Sequence, residues 1–148
     1  MDSFTNTKKK SGWKIILIIV ALYIGLSVLD ALGLFVMGTY EEYDEDGEIV
    51  ADSSPVIMEF NGKLGGKDGE AGMSYRIDGE DFTVYWGEAK LMDGEINNGV
   101  IKVSFFGSAT YYCKEGKTPD DFNEKGIIDY FRMILSPVSK LISDILYD

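Results

Sequence analysis

One stretch constrains this chain more than any other: "KKKSGWKIILIIVALYIGLSVLDALGLFVMG", residues 8–38. Lys8, Lys9, Lys10 and Lys14 precede an apolar run from residue 15 to 38 whose one charged residue is Asp30. As a helix, that run would be about 36 Å long at ~1.5 Å per residue, enough to cross a ~30 Å hydrocarbon core with some tilt. Lysines before it and Glu41, Glu42 and Asp44 after it orient the N-terminus toward the cytoplasm. Trp13 and Tyr40 stand where interfacial aromatics are expected. The rival reading is a cleaved signal peptide that releases a secreted domain, with small residues at 31–33 (ALG) or 36–38 (VMG) as the cleavage site. No Ala-x-Ala is present, and apolar character resumes at Leu32, Leu34, Phe35, Val36 and Met37, so a retained signal anchor is preferred.

Asp30 is costly in lipid, up to ~2.5–3.5 kcal/mol at mid-membrane. At ~100° per residue it lies on one stripe with Tyr23 and Ser27, opposite Ala21 and Gly25. The plainer expectation is that Asp30 reaches the outer headgroups. The alternative is that Tyr23, Ser27 and Asp30 face a partner helix, from a second copy or from another membrane protein carrying a basic or hydroxyl group.

Charge is sharply partitioned. Residues 1–14 carry a net +3 and residues 39–148 a net −13, within a total of −11. So acidic a domain repels phosphate backbones and anionic leaflets, so no nucleic-acid partner is expected. The chain has no histidine, which removes the usual general base and every His-ligated metal site. Cys113 is the single cysteine, excluding an internal disulfide; beside Tyr111 and Tyr112 it reads as a small buried apolar group.

Residues 39–55 hold many acids and no base, and read as a solvated spacer. Within it, Glu42, Asp44 and Asp46 overlay positions 1, 3 and 5 of a calcium loop with Gly47 at 6, but position 12 is Ser53 instead of a bidentate Glu. These three form a weak calcium candidate, and no cofactor is expected. The tripeptide DGE recurs at 46–48, 68–70, 78–80 and 93–95 without a fixed period, which points to turns and not to a repeat module.

From residue 56 onward, five alternating segments (56–60, 73–78, 81–87, 100–106 and 108–114) predict a small antiparallel β-meander. Val56, Met58 and Phe60 should share a face, as should Phe82, Val84 and Trp86, then Ile101, Val103 and Phe105, and Ala109, Tyr111 and Cys113. The glycine-rich segment 61–72 lacks the spacing of a phosphate loop. Thr118, Pro119, Asp120 and Asp121 announce a helix start. Ile128, Phe131, Leu135, Val138, Ile142 and Ile145 then form one helical stripe, interrupted at Pro137. Asp129, Arg132, Lys140 and Asp144 exclude a second span. This amphipathic helix is expected to cover the sheet.

The expected layout is α+β: a basic cytoplasmic tail at 1–14, a single transmembrane helix at 15–38, an acidic linker at 39–55 and an extracytoplasmic domain at 56–148. The expected function is a non-catalytic binding or accessory module of a bacterial cell envelope, anchored in the bilayer. It would act through contacts with another membrane or envelope protein or with itself. A carboxylate-based hydrolase using Glu59, Glu88 or Asp93 is the enzymatic alternative. A basic leader ending at Gly12, then an aromatic, an apolar helix and a β-rich domain, resembles the architecture of type IV pilins and pseudopilins. That resemblance implies a structural subunit processed at Gly12. Those families carry Glu at the fifth position after the processed glycine, where this chain has Leu17, and Lys14 is an unusual charge at the second.

Overall fold

A computed structural model describes the backbone of residues 2–105 and 107–147 and the side chains of residues 12–104 and 107–146. Helix α1 (Asp2–Ala31) carries the apolar run. It ends where the Leu32 N–H reaches the Val28 carbonyl and Gly33 turns to φ +92°, a left-handed conformation that glycine adopts without a Cβ penalty. A 3-10 turn (Leu34–Val36) then enters the sheet. The helix therefore stops short of the expected residue 38. The apolar residues after Asp30 serve the folded domain: Val36 is buried in its core, and Phe35 meets Phe131 edge-on with ring centroids 5.4 Å apart.

Eight strands follow, three more than expected: β1 (Gly38–Tyr43), β2 (Val56–Met58), β3 (Leu64–Gly65), β4 (Met73–Asp78), β5 (Asp81–Trp86), β6 (Ala89–Asn97), β7 (Val100–Phe105) and β8 (Ser108–Lys114). All pair antiparallel in the order β3-β2-β1-β8-β7-β6-β5-β4. A bridge between Lys63 and Ser74 joins the two ends, so the sheet nearly closes into a barrel. The segment read as a spacer contributes β1, whose Tyr40 is fully buried between β2 and β8. β6 was missed because Lys90, Asp93 and Glu95 break its apolar alternation.

The near-closed sheet buries its own inner face, with Tyr40, Met58, Tyr75, Ile77, Phe82 and Ile101 among the core side chains. Phe82 and Val84 share that interior as expected, whereas Trp86 and Phe60 are exposed. Phe105 lies outside the described side chains. Tyr112 packs inward, and Cys113 is buried opposite Val100 on the outer face. A 3-10 turn (Pro119–Asn123) lies over that face, with Phe122 against Tyr111. That turn is what the expected helix start builds: the Thr118 N–H donates to the Asp121 carboxylate at 2.8 Å, then the chain leaves the turn.

Two DGE tripeptides make turns. Gly79 and Glu80 close the β4–β5 hairpin, and Gly47 turns beyond β1. The others do not: Asp68–Glu70 lies in the short helix α2 (Gly66–Glu70), and 93–95 runs within β6. At β6–β7 the loop Asn98-Gly99 has positive φ at both residues (51° and 75°), the hairpin geometry that Asn-Gly favours.

Helix α3 (Ile127–Tyr147) begins at Gly126, whose N–H donates to the Asp129 carboxylate at 2.6 Å. It packs chiefly on α1 and reaches the sheet at β4. The expectation that it roofs the sheet is thereby corrected: eight curled strands leave little apolar face for a helix to cover.

Candidate functional site at the helix junction

Asp30, near the end of α1, is 2% exposed and does not reach toward solvent or headgroups. Its Oδ1 accepts a hydrogen bond from Arg132 Nε at 2.6 Å, and both side chains are buried. Arg132 Nη2 donates to the Gly79 carbonyl in the β4–β5 hairpin at 2.8 Å. One guanidinium thus ties together α1, α3 and the sheet. A buried ion pair contributes little net stability over an apolar replacement, but losing one partner strands the other charge. The pair therefore specifies how α1 meets the domain.

Tyr23 and Ser27 belong to the same junction. The Tyr23 hydroxyl donates to the Ile134 carbonyl of α3 at 2.7 Å. Nearby, α3 continues through Pro137, which has no N–H for the Met133 carbonyl four residues back. Ser136 Oγ donates to that carbonyl at 2.9 Å, and Tyr23 reaches the next one. Ser27 is fully buried and bonds back to the Tyr23 carbonyl at 2.7 Å. The three stripe residues gather against a helix of this same chain; the alternative reading from sequence placed a second copy or another membrane protein there. Ala21 and Gly25, on the opposite face, remain exposed.

From the sequence alone, Arg132 is one of the charges that exclude a second span, and its pairing with Asp30 is not foreseen. A signal was available: a lone arginine within "YFRMIL" complements a lone aspartate in the apolar run.

The calcium candidate is organised differently. Glu42 Oε1 accepts from Ser53 Oγ at 3.2 Å and from the Tyr112 hydroxyl at 3.3 Å, while Asp44 Oδ1 caps the Glu48 N–H at 2.9 Å. Asp46 is exposed in the intervening turn. Among the described residues, no three His, Cys, Asp or Glu side chains converge to hold a metal ion.

A concavity of about 670 Å³ lies on the outer face of β4–β7 beside α3. Asp78, Asp81, Asp93, Glu95 and Asp144 line it, with Arg76 and Lys102. Arg76 stacks 4.3 Å over the Tyr85 ring, and Asp93 pairs with Lys90. Burial, then Asp144, raise the Asp78 carboxyl above its ordinary range, Lys140 opposes them, and Asp81 adds a smaller upward push. Of the carboxylates considered for hydrolysis, Asp93 lies in this groove; Glu59 precedes β3 and Glu88 sits in the β5–β6 turn, both exposed.

No protein-family model, curated protein or solved structure matches this chain.

Proposed function

We propose that this chain is a single-pass, membrane-anchored accessory module that holds an acidic α+β domain on the extracytoplasmic side and works through protein contacts without catalysis. One observation carries the reading. The side chains of α1 from Trp13 to Val20, with Leu22 and Ile24, are exposed and almost wholly apolar, and the segment Gly12–Ala31 is long and apolar enough to cross a membrane. Water is a poor solvent for such a surface, and lipid is a good one.

The junction supports a retained anchor. Cleavage at 31–33 or 36–38 would remove Asp30 and leave the Arg132 cation buried, a loss of about 3–5 kcal/mol. The lysines before the span support a cytoplasmic N-terminus. The carboxylate-lined groove offers a surface for a basic protein partner.

Alkaline carbonate extraction of membranes, with protease added to either side, tests the reading. The full-length chain should stay with the membrane, and the domain should be cut only from outside. Recovery of a shortened chain in the soluble extract would overturn it.

A further inference from the structure

We propose that α3 is a second membrane element: it lies in the outer leaflet with its exposed apolar stripe against the acyl chains, so the domain is seated in the bilayer and does not hang above it. This inference rests on the anchor reading above.

The first ground is which way α3 faces. An amphipathic helix on a soluble domain buries its apolar side. This one buries Leu135 together with polar groups and leaves a second apolar stripe outside. Arg132, Ser139 and Ser143 are buried, and Ser143 Oγ donates to the Ile77 carbonyl at 2.9 Å. Outside are Ile145 (70% exposed), Ile134 (63%), Leu141 (59%) and Tyr130 (57%). At ~100° per residue these four fall within about 60° of one another. Asp129, Lys140 and Asp144 lie to one side of that stripe, where they border the concavities beside β4 and β5. The stripe itself is free of charge.

The second ground is length. The part of α1 with apolar side chains standing free of the domain, residues 13–24, covers only about 17 Å at ~1.5 Å per residue. A hydrocarbon core is ~30 Å deep. The missing depth must surround the level at which α1 is already packed against α3. The Tyr23–Ile134 hydrogen bond marks that level, where the exposed surface of one helix continues into that of the other. The bilayer that holds α1 therefore also reaches the outward face of α3. A second copy of the chain would cover the stripe equally well but would leave the depth of α1 unexplained.

The test uses the full chain with Cys113→Ser, so that one introduced cysteine carries an environment-sensitive fluorophore. Labels go at Ile19→Cys on α1, at Leu141→Cys and Ile145→Cys on α3, and at Glu95→Cys in the groove. Each protein is reconstituted in phosphatidylcholine vesicles, and circular dichroism confirms its fold. Spin-labelled acyl chains should quench Leu141→Cys and Ile145→Cys most strongly from a shallow position and Ile19→Cys from a deep one. Aqueous iodide should quench Glu95→Cys several-fold more than the α3 sites. If the Ile19 label is lipid-quenched while both α3 labels respond only to iodide, the anchor stands and this proposal falls. If the α3 labels are shielded from lipid and iodide alike, protein covers the stripe and the proposal is again overturned. If the Ile19 label is not lipid-quenched, the anchor reading itself fails.

Discussion

α1 and α3 both carry bulky apolar side chains outside the protein, and they arrive there by opposite routes. Residues 13–24 of α1 are apolar almost all round, so no rotation of that helix could hide them. α3 is apolar on two sides: it buries Leu135 beside Arg132, Ser139 and Ser143, and leaves Tyr130, Ile134, Leu141 and Ile145 outside. The difference teaches that a helix can bury one apolar stripe and still present another, and that only its tertiary contacts tell the two apart. For α3, specific partners decide the matter. Arg132 finds Asp30 and the Gly79 carbonyl, and Ser143 finds the Ile77 carbonyl.

Breaking the inward polar contact should have the largest effect. Asp30→Ala should destabilise the detergent-solubilised chain by about 3–5 kcal/mol, since Arg132 would remain buried with its charge unpaired. Asp30→Leu combined with Arg132→Met should recover most of that loss, because the desolvation penalty disappears with the pair. Urea unfolding curves measure both. An Asp30→Ala midpoint no lower than that of Asp93→Ala, a change to an exposed carboxylate, would show that the ion pair does not hold α3 in place.

Next in size is a contrast between two leucines on α3. Leu135 is 1% exposed and Leu141 is outside. Leu135→Ala should cost about 2–5 kcal/mol, from lost burial and a residual cavity. Leu141→Ala should change stability in detergent by no more than about 0.5 kcal/mol. Equal losses at the two positions would mean that the outward face is packed against protein, and the contrast between the helices would dissolve.

These contrasts also show what the sequence could and could not reveal. The apolar run, the five clearest strands and the α3 periodicity were legible because each is a local pattern of side chains. β1 was hidden, because a strand centred on a single buried tyrosine between acids reads as solvated chain until β2 and β8 flank it. The end of α1 was misplaced for a related reason. Leu34, Phe35 and Val36 look as lipid-compatible as Ile16 or Leu17, and only the nearly closed barrel identifies Val36 as core. At the junction, the polar stripe of Tyr23, Ser27 and Asp30 was visible, but its partner lies about a hundred residues away. No local spacing encodes that distance.

A milder perturbation sharpens the comparison at the Pro137 break. Tyr23→Phe keeps the ring and removes the hydroxyl that reaches the Ile134 carbonyl. The expected cost is about 0.5–1.5 kcal/mol, the net worth of one hydrogen bond. Ser136→Ala should cost a similar amount by exposing the Met133 carbonyl. If α1 merely passes by α3, Tyr23→Phe will leave the unfolding midpoint where it was.

The smallest effect concerns the charged side of α3 that borders the groove. Asp78 has one carboxylate oxygen buried without a hydrogen-bond partner among the described residues, and Asp144 on α3 adds to the upward push that burial exerts on its pKa. The folded chain therefore retains this proton over a pH range in which the unfolded chain has already released it. Its contribution to stability is greatest below the ordinary aspartate range and is lost as pH rises through the folded value. Asp78→Asn should remove that loss. Its melting temperature should exceed the wild-type value modestly at neutral pH, and the gap should close on acidification to about pH 3. Melting curves of both proteins across that range provide the measurement. A gap that ignores pH, or a variant less stable at neutrality, would mean that Asp78 already has adequate solvation or a compensating cation. In that case the inner flank of α3 would be wetter than the packing against β4 implies.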